Sequence, residues 1–387
     1  MSPIARVEII PLRVTGADLL DCDGTVDTVV VRLTDAEGRT GIGECDAPPE
    51  VVRAFIEMPT AHIWSQRIAD RLVGAEPVGI TALWEDLYAA TLYPGRRGLG
   101  IHALSGVDIA LHDLAGKQLG LPAYQLMGGA RRKTLRPYCT IYPGLPKGRS
   151  LRQLLDITRR QFEQAVALGF RAVKMEVMYD DVASDAELVE AIAEGRRALG
   201  PGITMMVDFG YRWQSWHDAL WVLKRIEPCD IYFAEATLQH DDLAGHARLA
   251  ERSPIRICGA EFAATRFEIR EWIETARVAV VQPDISRCGG LTEIRRIADL
   301  CELAGVEVIP HGWKTGILAA AGRHFQAACP AVPYFEFISP FVYHSPLRRD
   351  LVRPEPEIRD GAMPLPAGAG LGIELDEATV EAYRVRG

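Results

Sequence analysis

Apolar and polar residues alternate through VEIIPLRV near the N-terminus and again through TVDTVVVRLTDAEG, whose D-A-E-G marks a turn. Together with GIGECDAP, these segments predict three strands. From about Val51 to Gly128 the spacing becomes helical. Leu104, Val107, Leu111 and Leu114 recur near a 3.6-residue period within Ile101–Leu119, and Gly120 then ends the helix. Residues 1–130 therefore read as a small α+β domain. Beyond Leu135 eight short apolar runs follow: RPYCTIY, FRAVKMEV, ITMMVDF, DIYFAEA, IRICGAE, VAVVQPD, VEVIPH and YFEF. Amphipathic segments such as Leu151–Leu168, Ala186–Leu199, His217–Ile226 and Leu291–Ala304 separate them. This alternation predicts a closed parallel α/β barrel over residues 131–340. A doubly wound open sheet is the alternative, but no G-x-G-x-x-G turn follows the first strand. Pro/Gly-rich loops and LGIELDEATVEAYRV then predict that residues 341–387 return to pack on the first domain.

In such a barrel the C-terminal ends of the strands face the active-site mouth. The last polar residues of the runs are Lys174 and Glu176, Asp208, Glu235, Glu261, Asp284, His311 and Glu336. From Asp208 onward they are spaced 27, 26, 23, 27 and 25 residues apart, about one strand and one helix each time. Asp208, Glu235 and Glu261 would crowd three negative charges into one mouth, an arrangement costly without a cation. Oxygen ligands without neighbouring His or Cys favour Mg²⁺, with Mn²⁺ second. Three separately solvated acids are the competing reading. His311 lies one strand beyond Asp284, whose carboxylate would hold one ring nitrogen and leave the other as acid or base. Lys174 is expected to have its pKa lowered by burial beside a metal, or to form an ion pair with Glu176 or Asp208. Glu336, inside the apolar YFEF, is expected to stay protonated and donate to a developing oxyanion.

Composition narrows the class. The chain has 387 residues, 48% of them hydrophobic and 25% charged, which excludes a disordered tail or a disulfide-dense miniprotein. A net charge of −9 without any Lys/Arg run argues against a nucleic-acid partner. No apolar stretch approaches the roughly 20 residues of a membrane helix, and MSPIARVEIIPLRV lacks a signal peptide's apolar block. The eight cysteines are scattered, without C-x-x-C, so a reduced cytoplasmic protein is expected.

These strand-end residues, their neighbours QPDISRCGGLTE and PHGWKTG, and SGVDIALHDLAGKQLGLPAYQLMGG resemble the enolase superfamily, mandelate racemase-like subgroup. The resemblance spans nearly the whole chain. It implies an α/β fold: a modified TIM barrel, (β/α)7β, with an α+β capping domain that the C-terminal segment rejoins. It also implies Asp208, Glu235 and Glu261 as Mg²⁺ ligands, and His311–Asp284 as a proton-transfer dyad. Glu336 would hydrogen-bond the substrate carboxylate, and Lys174 would be the first lysine of a K-x-K motif. Asp18, Asp21 and Asp23 correspond to a cap loop that closes over substrate, and a homo-oligomer is implied.

Three positions depart from the subgroup's pattern. K-M-E places Glu176 where a second lysine is usual, D-F-G places Gly210 after Asp208, and E-A-T places Thr237 after Glu235. Losing the second lysine removes half of a two-base racemase. Glu176 would act as a base, bind a substrate hydroxyl or tune Lys174. The expected substrate is a small-molecule carboxylate whose α-proton is abstracted through a metal-stabilised enediolate. Loss of the neighbouring hydroxyl from an aldonic or aldaric acid would then give a 2-keto-3-deoxy acid. A racemase, epimerase or cycloisomerase is the alternative, and a catalytically silent sugar-acid binder a further one. Tyr142 and Trp313, with Tyr211, Trp213, His240 and Lys314, are candidate substrate contacts, ordinary packing being the competing role for the aromatics.

Overall fold

The first three strands form an antiparallel sheet in the order β1-β2-β3: β1 (Ile4–Arg13), β2 (Asp27–Asp35) and β3 (Thr40–Cys45). The computed structural model describes residues 1–18 and 24–386 of the chain. Alternate residues of this sheet, Val29, Val31 and Leu33, pack with Val107, Leu111 and Leu114 of the helix Leu99–Leu119. The approach is close because β3 carries glycines. A Cβ on Gly43 would lie 2.1 Å from the Gly106 carbonyl oxygen, and one on Gly41 2.4 Å from that of Ala110. Gly120, at φ 68°, closes the helix as its sequence position predicts.

The short β4 (Thr134–Leu135) pairs with Met363–Pro364, leading into the barrel. There β5 (Pro137–Ile141), β6 (Ala172–Glu176), β7 (Thr204–Asp208), β8 (Ile231–Glu235), β9 (Cys258–Gly259), β10 (Val280–Val281), β11 (Glu307–Val308) and β12 (Phe335–Phe337) run parallel. The ladder order is β12-β5-β6-β7-β8, and a bridge between Ala234 and Ile257 carries it on to β9-β10-β11. A bond from Val308 N–H to Ala331 O ties β11 to the segment entering β12. The expected modified TIM barrel with its α+β cap is the observed fold.

Several strands are shorter than their apolar runs. IRICGAE pairs no further than Gly259 because Ala260 turns into the left-handed region at φ 81°. In VAVVQPD, Pro283 has no N–H to continue the ladder. The helices between strands begin where their caps dictate. Ser150 with Gln153, and Ser184 with Glu187, form reciprocal capping boxes that start Leu151–Ala167 and Asp185–Leu199. The C-terminal segment returns to the cap: Val385 N–H bonds Pro11 O at 2.9 Å, and Glu377 pairs with Arg32 at 2.7 Å.

Cap and barrel are also joined by charge. Asp46, just past β3, pairs with Arg287 and, at 3.0 Å, with Lys314. Glu44, wholly buried, accepts bonds from Thr28, Thr315 and the Leu318 N–H. Among the described residues no helix is long and apolar enough to cross a membrane, and the seven cysteines are buried and free.

Two expected outcomes follow from this packing. Gly43→Ala forces a methyl group against backbone and should cost about 3 kcal/mol, read as a lowered urea midpoint. Asp46→Asn strips Arg287 and Lys314 of a shared partner, at a cost of about 3 kcal/mol. Burial alone would raise the Asp46 pKa, but Arg287 and Lys314 outweigh it and hold the carboxyl well below its usual range. Its stabilisation is thus complete above about pH 4 and is lost as pH falls further. The variant should therefore differ from wild type at pH 7 and converge on it in strong acid.

Candidate active site

The period-two alternation of strands decides which side chains enter the barrel. Ala172, Met206 and Phe233 plug its interior together with Tyr138, Cys258, Val280 and Ile309. Counting on by two from the first three gives Lys174 and Glu176 on β6, Asp208 on β7 and Glu235 on β8. Backbone register aligns Glu176 with Asp208 and Asp208 with Glu235. The chain turns at once after each acid: Gly210 and Tyr211 have φ 59° and 63°, and Ala236 has φ 48°. Gly210 N–H returns to Asp208 Oδ1 at 2.9 Å.

Lys174, 1% exposed, sits beneath these acids. Its Nζ lies 2.8 Å from Glu235 Oε1, 2.9 Å from Glu336 Oε1 and 3.5 Å from Asp208 Oδ2. Burial works to lower its pKa, yet Glu235 and Glu336 outweigh burial and raise it well above the ordinary lysine value. As placed, Lys174 is an ammonium ion-paired with three acids, among them the expected partner Asp208. Glu336 departs from the expectation of a protonated acid. Burial would raise its pKa, but Lys174, His311 and the Thr140 hydroxyl bring it down to about 2. Its Oε1 accepts from Thr140 and faces Lys174, while Oε2 accepts from Gly312 N–H at 2.7 Å. An ionised, fully engaged carboxylate has no proton to donate, and YFEF alone carries no sign of that cation.

His311 Nδ1 lies 2.6 Å from Asp284 Oδ2, and Asp284 Oδ1 accepts from both the N–H and the hydroxyl of Ser286 at 2.6 Å. This assigns Nδ1 as the donor and leaves Nε2 on the other side of the ring, 3.4 Å from Glu261 Oε2. Burial lowers the His311 pKa, but the Glu261 charge and the Asp284 bond outweigh it and raise it.

A cavity of about 840 Å³ opens over these groups between cap and barrel. Glu176, Asp208, Glu261 and His311 line its floor; Asp46, His102, Arg287, Trp313 and Lys314 are among its walls. Burial and the Asp208 charge raise the Glu176 pKa well above its usual value. Other candidates lie elsewhere. Asp18 is exposed and pairs with Lys147, away from the cavity lining, and Asp21 and Asp23 lie outside the described residues. Tyr142 supports Trp313 from behind, ring edge to face at 5.7 Å. Trp213 donates to Asp185, and His240 packs on Trp272. Among the described residues of this group, Lys314 alone is in the cavity wall, where it is buried on Asp46 and Asp27. Asp46, His102 and Arg287 carried no local sequence signal; the Asp46–Arg287 pair spans 241 residues.

Asp208, Glu235 and Glu261 offer oxygens alone, the donor chemistry of Mg²⁺ or Mn²⁺. As placed, no group of three His, Cys, Asp or Glu side chains among the described residues is already arranged to hold an ion. The Glu235 oxygens are engaged by Lys174 and Gln282, and Glu261 accepts from the Tyr211 hydroxyl. A cation would replace some of these bonds, and the three carboxylates suit that exchange chemically.

Comparison with known proteins places this architecture. Residues 158–379 match the enolase C-terminal domain-like family, and residues 20–128 match the mandelate racemase / muconate lactonizing enzyme N-terminal domain. The chain is 31% identical to the D-galactarolactone cycloisomerase of Agrobacterium fabrum, covering 92% of this chain and 91% of that protein. It is 32% identical to the arabinonate dehydratase of Saccharolobus solfataricus, over 93% and 91%. A crystal structure provisionally described as a racemase is 44% identical, covers 98% of each chain and superposes with a TM-score of 0.93. A racemase from Streptomyces coelicolor A3(2), solved with bound magnesium, is 26% identical over 99% and 100%, with a TM-score of 0.82. The chain is thus an enzyme of the enolase superfamily and belongs to its mandelate racemase-like subgroup.

Proposed function

We propose that this enzyme is a Mg²⁺-dependent acid-sugar dehydratase, a hydro-lyase that converts an aldonic or aldaric acid into a 2-keto-3-deoxy acid. The observation that carries this reading is the His311–Asp284 dyad opening onto the acidic cavity, with Glu176 where a second lysine base would stand. Mg²⁺ held by Asp208, Glu235 and Glu261 would supply the positive charge that makes the C–H beside the substrate carboxylate acidic.

The chain's own groups do the rest. Asp284 keeps the imidazole proton on Nδ1 of His311, so that Nε2 accepts the α-proton and, as the imidazolium, returns a proton to the departing 3-hydroxyl, which leaves as water. Lys174, locked by Glu235 and Glu336, presents a fixed charge below the reacting carboxylate, and a fixed charge needs no reorganisation as negative charge builds. Glu336 positions Lys174 and the Gly312 backbone beside His311. Glu176, its pKa raised by burial and Asp208, is suited to hydrogen-bonding a substrate hydroxyl. The similarity to both a dehydratase and a cycloisomerase supports an acid-sugar substrate. Cycloisomerisation is the second reading, because Glu176 and His311 share the cavity floor and could serve its two faces.

Incubation with Mg²⁺ and a panel of aldonic and aldaric acids should yield a keto acid, detected as its semicarbazone. His311→Asn should lower kcat about 10³-fold while substrate still binds. Deuterium entering recovered substrate or its isomer from D2O, without keto acid, would instead establish the isomerase.

A further inference from the structure

The far wall of the cavity carries information about the end of the substrate that does not react. Arg287 and Lys314 are the cavity's lysine and arginine side chains among the described residues. Both are already committed. Arg287 binds Asp46 Oδ2, and Lys314 lies 3.0 Å from Asp46 Oδ1 and 3.5 Å from Asp27 Oδ1. Asp27 also takes Arg13 at 3.5 Å, and Arg13 is bound in turn by Glu50 at 2.6 Å. Among the described residues three cations thus face three anions, and the wall has no unbalanced positive charge. His102 adds none, since burial and Arg287 lower its pKa.

Two of the wall's side chains nevertheless hold a spare donor: Arg287 Nη1 and Trp313 Nε1 are buried and find no acceptor among the described residues. A buried donor without an acceptor is costly, and a neutral oxygen relieves that cost without bringing charge. A carboxylate there would need Arg287 or Lys314 to abandon an aspartate, leaving one carboxylate buried without its counter-charge.

We propose that this wall, made by Arg287, Trp313, Lys314, Asp46 and Asp27, is a neutral-oxygen subsite that selects acid sugars with one carboxylate over diacids. The inference rests on the acid-sugar reading above and narrows it: the substrate's far end carries hydroxyls.

Binding is measured calorimetrically in the presence of Mg²⁺, using six-carbon aldonic acids and the aldaric acids of matching stereochemistry. The best aldonic acid should bind at least tenfold more tightly than its diacid partner. Asp27→Asn, which leaves the wall one positive charge in excess, should shift that ratio about tenfold toward the diacid. Trp313→Phe should raise KM for the aldonic acid with little change in kcat. A diacid bound as tightly as the aldonic acid, or a ratio unmoved by Asp27→Asn, overturns the subsite. Keto-acid formation is followed in the same samples. A selectively bound aldonic acid that is never turned over refutes dehydration while upholding the subsite, and failure of every acid to bind refutes both.

Discussion

A single ammonium group holds the centre of this protein together electrostatically. Lys174 is sealed beneath the mouth of the barrel, against Glu235 and Glu336 and near Asp208. Without it, several carboxylates would share a low-dielectric space with far less to offset their repulsion. With it, the acids are held at defined positions on successive strands. Glu336 then fixes the peptide at Gly312, directly after His311. His311, the proposed proton-transfer residue, is thereby coupled, through one carboxylate, to the charge that organises the acids.

The second requirement is that cap and barrel meet over that centre. Asp46 and Glu44 reach from the end of β3 into the loops that follow β10 and β11, engaging Arg287, Lys314, Thr315 and Leu318. In the proposed reaction, chemistry comes from the floor of the cavity and selection from its walls. Many substrates can be served by one floor because the two are supplied by different parts of the chain.

Much of this was legible in the sequence because strands and helices impose their own periods. The near-constant spacing from Asp208 to Glu336 reflects one βα unit per acid, and period two then sends Lys174, Asp208 and Glu235 inward. Amphipathic spacing placed helices from Leu151 and Ala186, and the serine caps at Ser150 and Ser184 fix those starts in the structure. What was hidden depends on partners distant in the chain. YFEF does not reveal that Glu336 meets Lys174, so its ionisation was misread. Nothing near Asp18 announces Lys147, and nothing near Arg287 announces Asp46. Strand lengths were overestimated where Ala260 and Pro283 end the ladder, since apolar runs persist beyond the last paired residue.

The Asp46 bridge has a consequence for how such proteins diversify. One carboxylate satisfies two basic side chains that belong to the other half of the molecule. A chimera that exchanged the capping domain for one lacking an acid at this place would strand Arg287 and leave Lys314 to whatever stands at Asp27. New specificities are therefore more accessible through paired changes on the two sides of that seam than through wholesale shuffling of modules.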